Sequence, residues 1–200
     1  MLKIYIARHG QDEDNANGIL NGRRNQPLTA WGLQQAANLA DKIAQAGLRF
    51  DAIYSSPLQR ASVTAQAVAN QQGQITPVPL ESLIERDFGI MTGKPVASIE
   101  AMCAPDIIKA EKIVYFLSPP GAETFPMLLQ RGQQVLDEIQ ARHASGSILL
   151  VAHGDIGKMV YAAYYGIAWE KILTMFHFDN SELLLLAPDS PAEAVHFFKW

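Results

Sequence analysis

Short apolar runs alternate with stretches of helical periodicity along most of the chain. The runs at Leu2–Ala7, Asp51–Ser55 and Ser147–Ala152 predict buried strands, and the last of them is the most apolar. Apolar positions recur every three or four residues from Leu33 to Ile43 and again within Phe125–Arg142, which predicts amphipathic helices. Strands that alternate with helices indicate an α/β fold with a mainly parallel sheet.

Capping residues indicate where helices begin and end. Thr29 is the expected cap of the first long helix, and Gly47 is expected to end it. Ser56, Pro57 and Gln59 form a helix-start signature for a second helix. That helix is expected to run to about Asn70, and Thr124 opens the helix at Phe125. The remaining predictions are a strand at Ile75–Leu80, an irregular segment at Glu81–Gly121 with a short helix near Ala97–Met102, a helix at Ile156–Tyr165, and late strands at Glu182–Leu186 and Ala194–Phe198.

The amino-acid composition is that of an ordinary globular protein and excludes only a few classes of function. The 200 residues are 48% hydrophobic and 18% charged, and no repeat or linker divides them, so one domain over residues 1–200 is expected. The net charge of −4 provides no basic footprint for nucleic acid. An anionic substrate would therefore be attracted by a local cluster of arginines, not by the field of the whole protein.

The single cysteine and the apolar runs exclude further classes. One cysteine, Cys103, allows no internal disulfide and makes a zinc-thiolate site implausible. The N-terminus shows no charged leader, and no apolar run reaches about 18 residues, the length needed for a membrane span. The expectation is a cytoplasmic protein, a monomer or homodimer, without a membrane or nucleic-acid partner.

Two of the predicted strands end in a histidine followed by a glycine. Arg8, His9 and Gly10 follow the first strand, and His153 and Gly154 follow the strand that ends at Ala152. In open α/β sheets, ligands bind in the crevice outside the carboxyl ends of the strands. If these two strands are parallel neighbours, the two histidines meet in that crevice. Gly154 also opens a helix, whose free N–H groups favour phosphate.

An arginine stands in the first turn of another predicted helix. Arg60 follows the start signature at Ser56 directly after a strand, at the helix end where cations are normally disfavoured. A guanidinium held there suggests an anionic ligand shared with the helix terminus. The alternative is an ion pair with Asp51, Asp12 or Glu85.

These parts predict phosphoryl transfer to a histidine. Neutral imidazole is a good nucleophile near pH 7 and needs no metal. Phosphoryl transfer requires mainly positioning and stabilisation of charge on the equatorial oxygens, which Arg8, Arg60 and a second histidine could supply. A leaving alkoxide also needs a proton donor, and an acidic residue in the same crevice is the natural candidate.

The same residues carry a family resemblance. Arg8-His9-Gly10, the segment from Ser55 to Ala61 with Thr64-Ala65 after it, and Ala152-His153-Gly154 resemble the histidine phosphatase superfamily, the phosphoglycerate mutase-like group. The motifs occur in the right order over nearly the whole chain. The resemblance implies a three-layer α/β/α sandwich with a mainly parallel central sheet, no metal, no organic cofactor, and a small phosphorylated metabolite as substrate.

The resemblance also implies roles for single residues. His9 corresponds to the nucleophile that becomes phosphorylated, Glu85 to the proton donor, and His153 to a second catalytic histidine. The implied phosphate pocket consists of Arg8, Asn15, Arg60, His153 and Gly154. Positions expected on the substrate side are Gln11, Gly22, Arg23, Arg24, Glu123 and Asn180. Arg23 and Arg24 would either hold a second anionic group of the substrate or be two solvated arginines.

Two positions depart from the family pattern. Asp12 stands where the family commonly has Thr or Ser, and a carboxylate there would repel phosphate unless it points away. Thr92 precedes Gly93 where phosphatases of the family often have Glu. These departures concern the choice of substrate and leave the core reaction unchanged.

The expected function is a metal-independent phosphatase acting on small phosphate monoesters of the sugar phosphate or phosphoglycerate type. Hydrolysis is preferred over mutase transfer because the segment from Gly93 to Pro119 is short, and because Phe197 to Trp200 has the pattern of a strand end with nothing left to cover the site. A cofactor-dependent phosphoglycerate mutase is the alternative. A non-catalytic phospho-ligand binder and a metal-dependent hydrolase using His9, Asp12 and His153 are less favoured, because the expected catalytic residues are present and no His-x-His spacing occurs.

Overall fold

The structure is a computed structural model that describes residues 1–73 and 75–188. The described strands are β1 (Leu2–Arg8), β2 (Ala52–Ser55), β3 (Val78–Pro79), β4 (Ile107–Lys109), β5 (Val114–Phe116), β6 (Gly146–Ala152) and β7 (Leu183–Leu186). The described helices are α1 (Glu13–Ala16), α2 (Ala30–Gln45), α3 (Gln59–Gln71), α4 (Ile99–Cys103), α5 (Phe125–Arg142), α6 (Gly154–Tyr165) and α7 (Trp169–Met175). Across these residues, no helix combines the length and apolar character that a bilayer crossing demands.

The central sheet has the order β3-β2-β6-β1-β7 and is parallel except for β7. Strands β1 and β6 are therefore the parallel neighbours that bring the two His-Gly ends together. Arg8 pairs with Ala152 at the end of their register, so His9 and His153 are each the first residue beyond it. The α/β prediction with a mainly parallel sheet is confirmed.

Helices cover both faces of this sheet, because alternate residues of each strand point to opposite sides. On one face, Tyr5 and Ala7 of β1 belong to the core that includes the apolar stripes of α2 and α3. On the other face, Ile4 and Ile6 belong to the core that includes α5, α6 and α7. The result is the three-layer arrangement of helix, sheet and helix.

The middle segment is more ordered than the apolar pattern indicates. The predicted strand at Ile75–Leu80 is limited to Val78–Pro79, and residues 81–121 contain the antiparallel pair β4–β5 as well as α4. A small separate core forms there from four buried residues, namely Phe88, Met91, Ile99 and Phe116. Helices α1 and α7 also lie outside the predictions. The strand predicted at Ala194–Phe198 lies outside the described residues.

The start of α3 corrects the predicted cap. The helix begins at Gln59, and Leu58 occupies the cap position without a side-chain hydrogen bond. Ser56 is therefore not the capping residue. Its hydroxyl lies 2.8 Å from Nε2 of His153. Arg60 does lie in the first turn, as predicted.

Close packing of the backbone explains why a glycine follows His9. A Cβ on Gly10 would lie 2.3 Å from the carbonyl oxygen of Gly32 in α2, and a Cβ on Gly32 would lie 1.9 Å from the carbonyl oxygen of Gln11. The backbone after β1 thus packs directly on the backbone of α2. A side chain at either position would therefore clash with backbone atoms.

Candidate active site

His9 is held with one ring nitrogen free to act. It is 2% exposed at the end of β1, and its Nδ1 lies 2.6 Å from the carbonyl oxygen of Gly10. Because that oxygen can only accept, Nδ1 carries the proton and Nε2 carries the lone pair. The backbone is fixed on both sides, since His9 N–H donates to Ala152 and Asn180 Nδ2 donates to the His9 carbonyl at 2.9 Å.

Arg60 lies between the two histidines. Its Nε is 3.2 Å from His9 Nε2, 3.1 Å from His153 Nδ1 and 3.2 Å from a carboxylate oxygen of Asp12. A guanidinium has donors only, so both imidazole nitrogens that face it are acceptors. His153 therefore carries its proton on Nε2, which donates to Ser56. The single Nε–H hydrogen is shared among three acceptors, and none of the three contacts is a full hydrogen bond.

Asp12 directs its carboxylate at Arg60, close to the nitrogen of His9 that faces the same guanidinium. Both it and Arg60 are completely buried, and they form an ion pair. The other contacts of this carboxylate are donated by the backbone N–H of Asn15 and the side chain of Asn21, each at 2.7 Å. The ion pair considered as an alternative for Arg60 thus exists together with the histidine contacts. The carboxylate at this position balances Arg60.

The surroundings keep both imidazoles neutral. Burial, with the positive charges of Arg60 and Arg8, lowers the pKa of His9 well below its ordinary value of 6.5. Burial, Arg60 and His9 lower the pKa of His153 in the same way. A neutral imidazole at pH 7 is the form that a nucleophile requires.

Glu85 combines a buried carboxyl group with the N-terminus of α6. One oxygen accepts from the backbone N–H of Arg86 at 2.8 Å and of Ile156 at 3.2 Å, and the other accepts from Asp155 N–H at 3.3 Å. Burial and the neighbouring Asp155 carboxylate raise the pKa of Glu85 above 4.5, while these N–H groups and Arg60 oppose the rise. A carboxyl group with a raised pKa can hold a proton for a leaving group.

We predict that Glu85→Gln slows the hydrolysis of alkyl phosphates by about 10²–10⁴-fold, the usual contribution of a general acid. The raised pKa of Glu85 keeps it protonated to higher pH, and the lowered pKa of His9 keeps it neutral to lower pH. Activity on alkyl esters should therefore peak on the acid side of neutrality and decline as Glu85 ionises. Profiles of kcat/KM against pH for the native and variant enzymes measure this.

Nitrophenyl phosphate is the control substrate for Glu85, because its phenolate scarcely needs a proton. Its turnover should change little in Glu85→Gln. Glu138→Gln is the matched control variant, since Glu138 is an exposed carboxylate paired with Arg142 on α5. Equal losses on alkyl and aryl esters would show that Glu85 is not the acid.

A cavity of about 280 Å³ opens at this end of the sheet. Five of the residues predicted for the site line it, namely Arg8, Asn15, Glu85, Gly154 and Asn180. Arg8 donates to the carbonyl oxygen of Phe178 at 2.5 Å, while its buried Nε has no hydrogen-bond partner among the described residues. Asn180 Nδ2 lies 3.2 Å from Asn15 Oδ1. The structure thus brings Arg8, Asn15 and Gly154 of the predicted phosphate pocket to one cavity, whereas His9, Arg60 and His153 are buried and are not part of its described lining.

Gln11 and Gly22 do not line the cavity. Gln11 Oε1 accepts from the Thr29 hydroxyl at 3.0 Å, at the start of α2. The Gly22 carbonyl accepts from Arg60 at 2.8 Å, and its φ of +49° places it in the left-handed region. Neither is among the described residues that line the cavity. Their substrate-side role stays a prediction.

Arg23 and Arg24 are both paired with carboxylates. Arg23 lies 3.4 Å from Asp87 and also contacts Glu123, and Arg24 lies 2.8 Å from Asp14. The Arg24 carbonyl accepts from Arg60 at 2.6 Å. Neither guanidinium belongs to the described lining of the cavity.

Glu123 is the centre of an ion-pair cluster next to Glu85. It contacts Arg131 through both oxygens, at 2.9 and 2.6 Å, and Arg23 at 3.2 Å. Arg131 and Arg23 also donate to the backbone carbonyl of Glu85. Glu123 therefore acts on the site through the backbone that carries Glu85. Sequence reasoning missed Arg131, and its position within an amphipathic helix gives no signal for this contact.

Arg86 and Asp155 are a second pair that sequence reasoning missed. Arg86 Nε donates to Asp155 at 2.8 Å, and its guanidinium lies between 4.2 and 5.0 Å from the ring centres of Phe88, Phe116 and Phe125. The pair joins the segment of Glu85 to the first turn of α6. The only feature of the sequence that could have indicated a role for Arg86 is that it directly follows Glu85.

The segment after α7, residues 176–181, is fastened to the site by its backbone and by one amide. Carbonyls of Phe176 and Phe178 accept from Lys158 and Arg8, respectively, and Asn180 donates to His9. Lys158 lies in α6, is buried, and also donates to the Leu173 carbonyl at 3.0 Å. Burial lowers the pKa of Lys158 to about 8.

The described residues contain no cluster of three or more His, Cys, Asp or Glu side chains that could hold a metal ion.

Sequence comparison places this geometry among known enzymes. The family model described as histidine phosphatase superfamily (branch 1) matches residues 4–199. A 2,3-bisphosphoglycerate-dependent phosphoglycerate mutase of Brucella anthropi is 31% identical over 177 residues, which are 85% of this chain and 84% of the relative. The enzyme of the same name from Bartonella quintana is 31% identical over 86% of this chain and 85% of its own.

Solved structures share the fold. Phosphoserine phosphatase from Entamoeba histolytica, in complex with 3-phosphoglyceric acid, is 26% identical with a TM-score of 0.74, over 92% of this chain and 90% of its own. A mycobacterial glucosyl-3-phosphoglycerate phosphatase is 22% identical with a TM-score of 0.82, over 100% and 99%. The family match covers nearly the whole chain and includes both His-Gly strand ends, and the chain therefore belongs to the histidine phosphatase superfamily.

Proposed function

We propose that this protein is a metal-independent phosphatase that hydrolyses small phosphate monoesters through a phosphohistidine on His9. The observation that carries the proposal is the fixed, neutral state of His9, with its lone pair on Nε2 beside Arg60. Glu85 lines the adjacent cavity and supplies the acid. Sugar phosphates and phosphoglycerates are the substrate types that the sequence suggests.

The first step forms the phosphoenzyme. Nε2 of His9 attacks phosphorus, and the bond to the ester oxygen breaks as Glu85 delivers its proton to the leaving alkoxide. The phosphoryl group replaces the contact between Arg60 Nε and His9, so the guanidinium moves from the lone pair to the phosphoryl oxygens. Arg8 and the Gly154 N–H at the start of α6 stabilise the charge on those oxygens, since the N–H groups of the next two residues donate to Glu85. His153 joins them once its proton has moved from Nε2, which donates to Ser56, to Nδ1.

The second step reverses the proton movement. Water attacks phosphorus and loses its proton to the Glu85 carboxylate, while the P–N bond breaks and returns its electron pair to Nε2. The products are inorganic phosphate, the neutral imidazole and the protonated acid. The backbone N–H groups that face Glu85 stabilise its ionised form between the two steps.

We predict that vanadate inhibits the enzyme at low concentration and that chelators leave its activity unchanged. Vanadate resembles the five-coordinate phosphoryl group, which this site should bind more tightly than the substrate. The measurements are inhibition curves with vanadate and rates before and after dialysis against a chelator. Activity that is lost on dialysis and restored by zinc or magnesium would contradict the metal-free mechanism.

A phosphoglycerate mutase is the second candidate, and it is favoured by the names of the relatives that are about 31% identical. Both reactions pass through a phosphorylated histidine and differ in whether water or a second hydroxyl receives the phosphoryl group. A mutase must keep its bisphosphorylated intermediate until it has turned round, which calls for a cover over the site. The mutases named above are matched over 84–85% of their own length and are therefore about as long as this chain, so the length of the segment between Gly93 and Pro119 does not separate the two reactions. What supports hydrolysis is the cavity that opens beside the histidines, because water can enter it.

We predict that phosphate release exceeds isomer formation when the enzyme receives 3-phosphoglycerate and catalytic 2,3-bisphosphoglycerate. The reason is that water can reach the phosphoenzyme through the cavity that opens beside the histidines. The measurement follows 2-phosphoglycerate and free phosphate in the same samples. Isomer formation that far outruns phosphate release would assign the protein to the mutases.

A further inference from the structure

The outer part of the cavity is apolar. The loop after α1, the segment around α4 and the β4–β5 pair contribute its wall, which consists of Ile19, Leu20, Phe88, Val96, Ile113 and Tyr115. Phe88 and Tyr115 are buried, while Val96 is 42% exposed at the rim. The apolar wall lies in the same cavity as Glu85, so it faces the part of the ester that leaves.

The charged groups in the same lining already have partners. The Lys158 ammonium donates to Tyr115 at 2.9 Å and to carbonyls at the end of α7. Asp155 pairs with Arg86, and Asp179 lies 3.0 Å from His177. Two buried nitrogens of the described lining have no hydrogen-bond partner, namely Arg8 Nε, at the phosphate end, and His177 Nδ1. Burial lowers the pKa of His177, so its ring is not a standing cation for a second anion.

Two features therefore argue against a second anion on the substrate. The described lining offers no unpaired cation beyond the phosphate end, and its wall would have to desolvate any carboxylate placed against it. Arg23 and Arg24, expected from the sequence to hold such a group, are paired with Asp87 and Asp14 instead.

Resting on the proposed function, we propose that the cavity selects phosphate monoesters whose leaving alcohol presents an apolar face of about ring size and carries no second anionic group. A volume of about 280 Å³ lies at the small end of ligand pockets and suits one ring or a short branched chain. Apolar contact at the leaving group raises kcat/KM, because the contact holds the ester with its oxygen next to Glu85.

The test compares kcat/KM for three alkyl phosphates that share a need for protonation: 2-phenylethyl phosphate, glucose 6-phosphate and 3-phosphoglycerate. We expect the phenylethyl ester to exceed 3-phosphoglycerate by about tenfold or more, the usual scale of discrimination by apolar pockets. Equal values, or a preference for 3-phosphoglycerate, would overturn this inference and leave the hydrolysis mechanism intact. No turnover of any of the three would overturn the proposed function, and this inference with it.

A charge placed in the wall provides a second readout. Val96→Lys should fold, because the side chain is 42% exposed at the rim, and it should lower kcat/KM for the phenylethyl ester while raising it for 3-phosphoglycerate. Leu33→Lys is the matched control, since Leu33 lies on α2, is 51% exposed and is not part of the described lining. An unchanged ratio between the two esters in Val96→Lys would count against the apolar wall as the selecting surface.

Discussion

His9→Ala is expected to lower kcat by about 10⁴-fold or more, on the scale seen when a nucleophile is removed. The remaining parts, Arg8, Arg60 and the start of α6, can still bind phosphate, so KM should change much less. His153 also directs a neutral nitrogen, Nδ1, at Arg60, but its ring is completely buried and its Nε2 is bound to Ser56. Rapid quench into alkaline detergent with phosphorus-labelled substrate measures the phosphoenzyme, which in the native protein should survive alkali and be lost on acid treatment, and should be absent in the variant.

The matched control is His143→Ala. His143 ends α5 and bonds to the Tyr54 hydroxyl at 2.9 Å, on a different part of the sheet. Its loss should leave labelling and kcat near native values. Labelled protein that persists in His9→Ala would remove His9 as the nucleophile, and a native protein that never becomes labelled or turns over would favour the non-catalytic alternative.

Arg60→Ala is expected to cause the second large effect, on both turnover and stability. Arg60 and Asp12 are completely buried, and removing one partner of a buried ion pair typically costs about 3–5 kcal/mol, because the other charge is left without compensation. Turnover should fall as well, since the phosphoryl oxygens lose their central cation. Urea unfolding measures the first effect, and kcat/KM measures the second.

The double variant Asp12→Asn/Arg60→Ala separates these two effects. The amide oxygen that replaces the Asp12 carboxylate can still accept from the Asn15 N–H but leaves no buried charge, so part of the lost free energy of unfolding should return. Activity should not return with it, because the cation is still missing. If Arg60→Ala proves as stable as the native protein, the buried pair does not hold this part of the site together; if the double variant recovers turnover, Arg60 does not act on the phosphoryl group.

The parts of the site that could be predicted are those that depend on residues close together in the sequence. The apolar runs before His9 and His153 predict core strands, and parallel strands place their carboxyl ends at one edge. That β1 and β6 are neighbours is only a condition of this prediction, and the structure fulfils it with the register that ends at Arg8 and Ala152. Arg60 is located in the same way, by its distance from the end of β2.

The parts that could not be predicted depend on contacts between distant segments. Ser56 resembles a helix cap in sequence, and only the approach of β6 shows that its hydroxyl serves His153. The cluster of Arg131 and Glu123 around the Glu85 backbone depends on how α5 packs. The pair β4–β5 has three residues in each strand, too few for a periodic pattern to distinguish a strand from a loop.

The fastening of residues 176–181 has a consequence for how enzymes of this architecture can change. The anchors are two backbone carbonyls, the backbone N–H of Ser181 and the side-chain amide of Asn180. The side chains of His177 and Asp179 line the cavity and pair with each other. A substitution at either position can alter what the cavity accepts without displacing the residues that perform the chemistry. In this short segment, the backbone and Asn180 hold the site together, while two other side chains contact the substrate cavity. Substitutions of those side chains can therefore change substrate preference during evolution while the proposed catalytic residues stay in place.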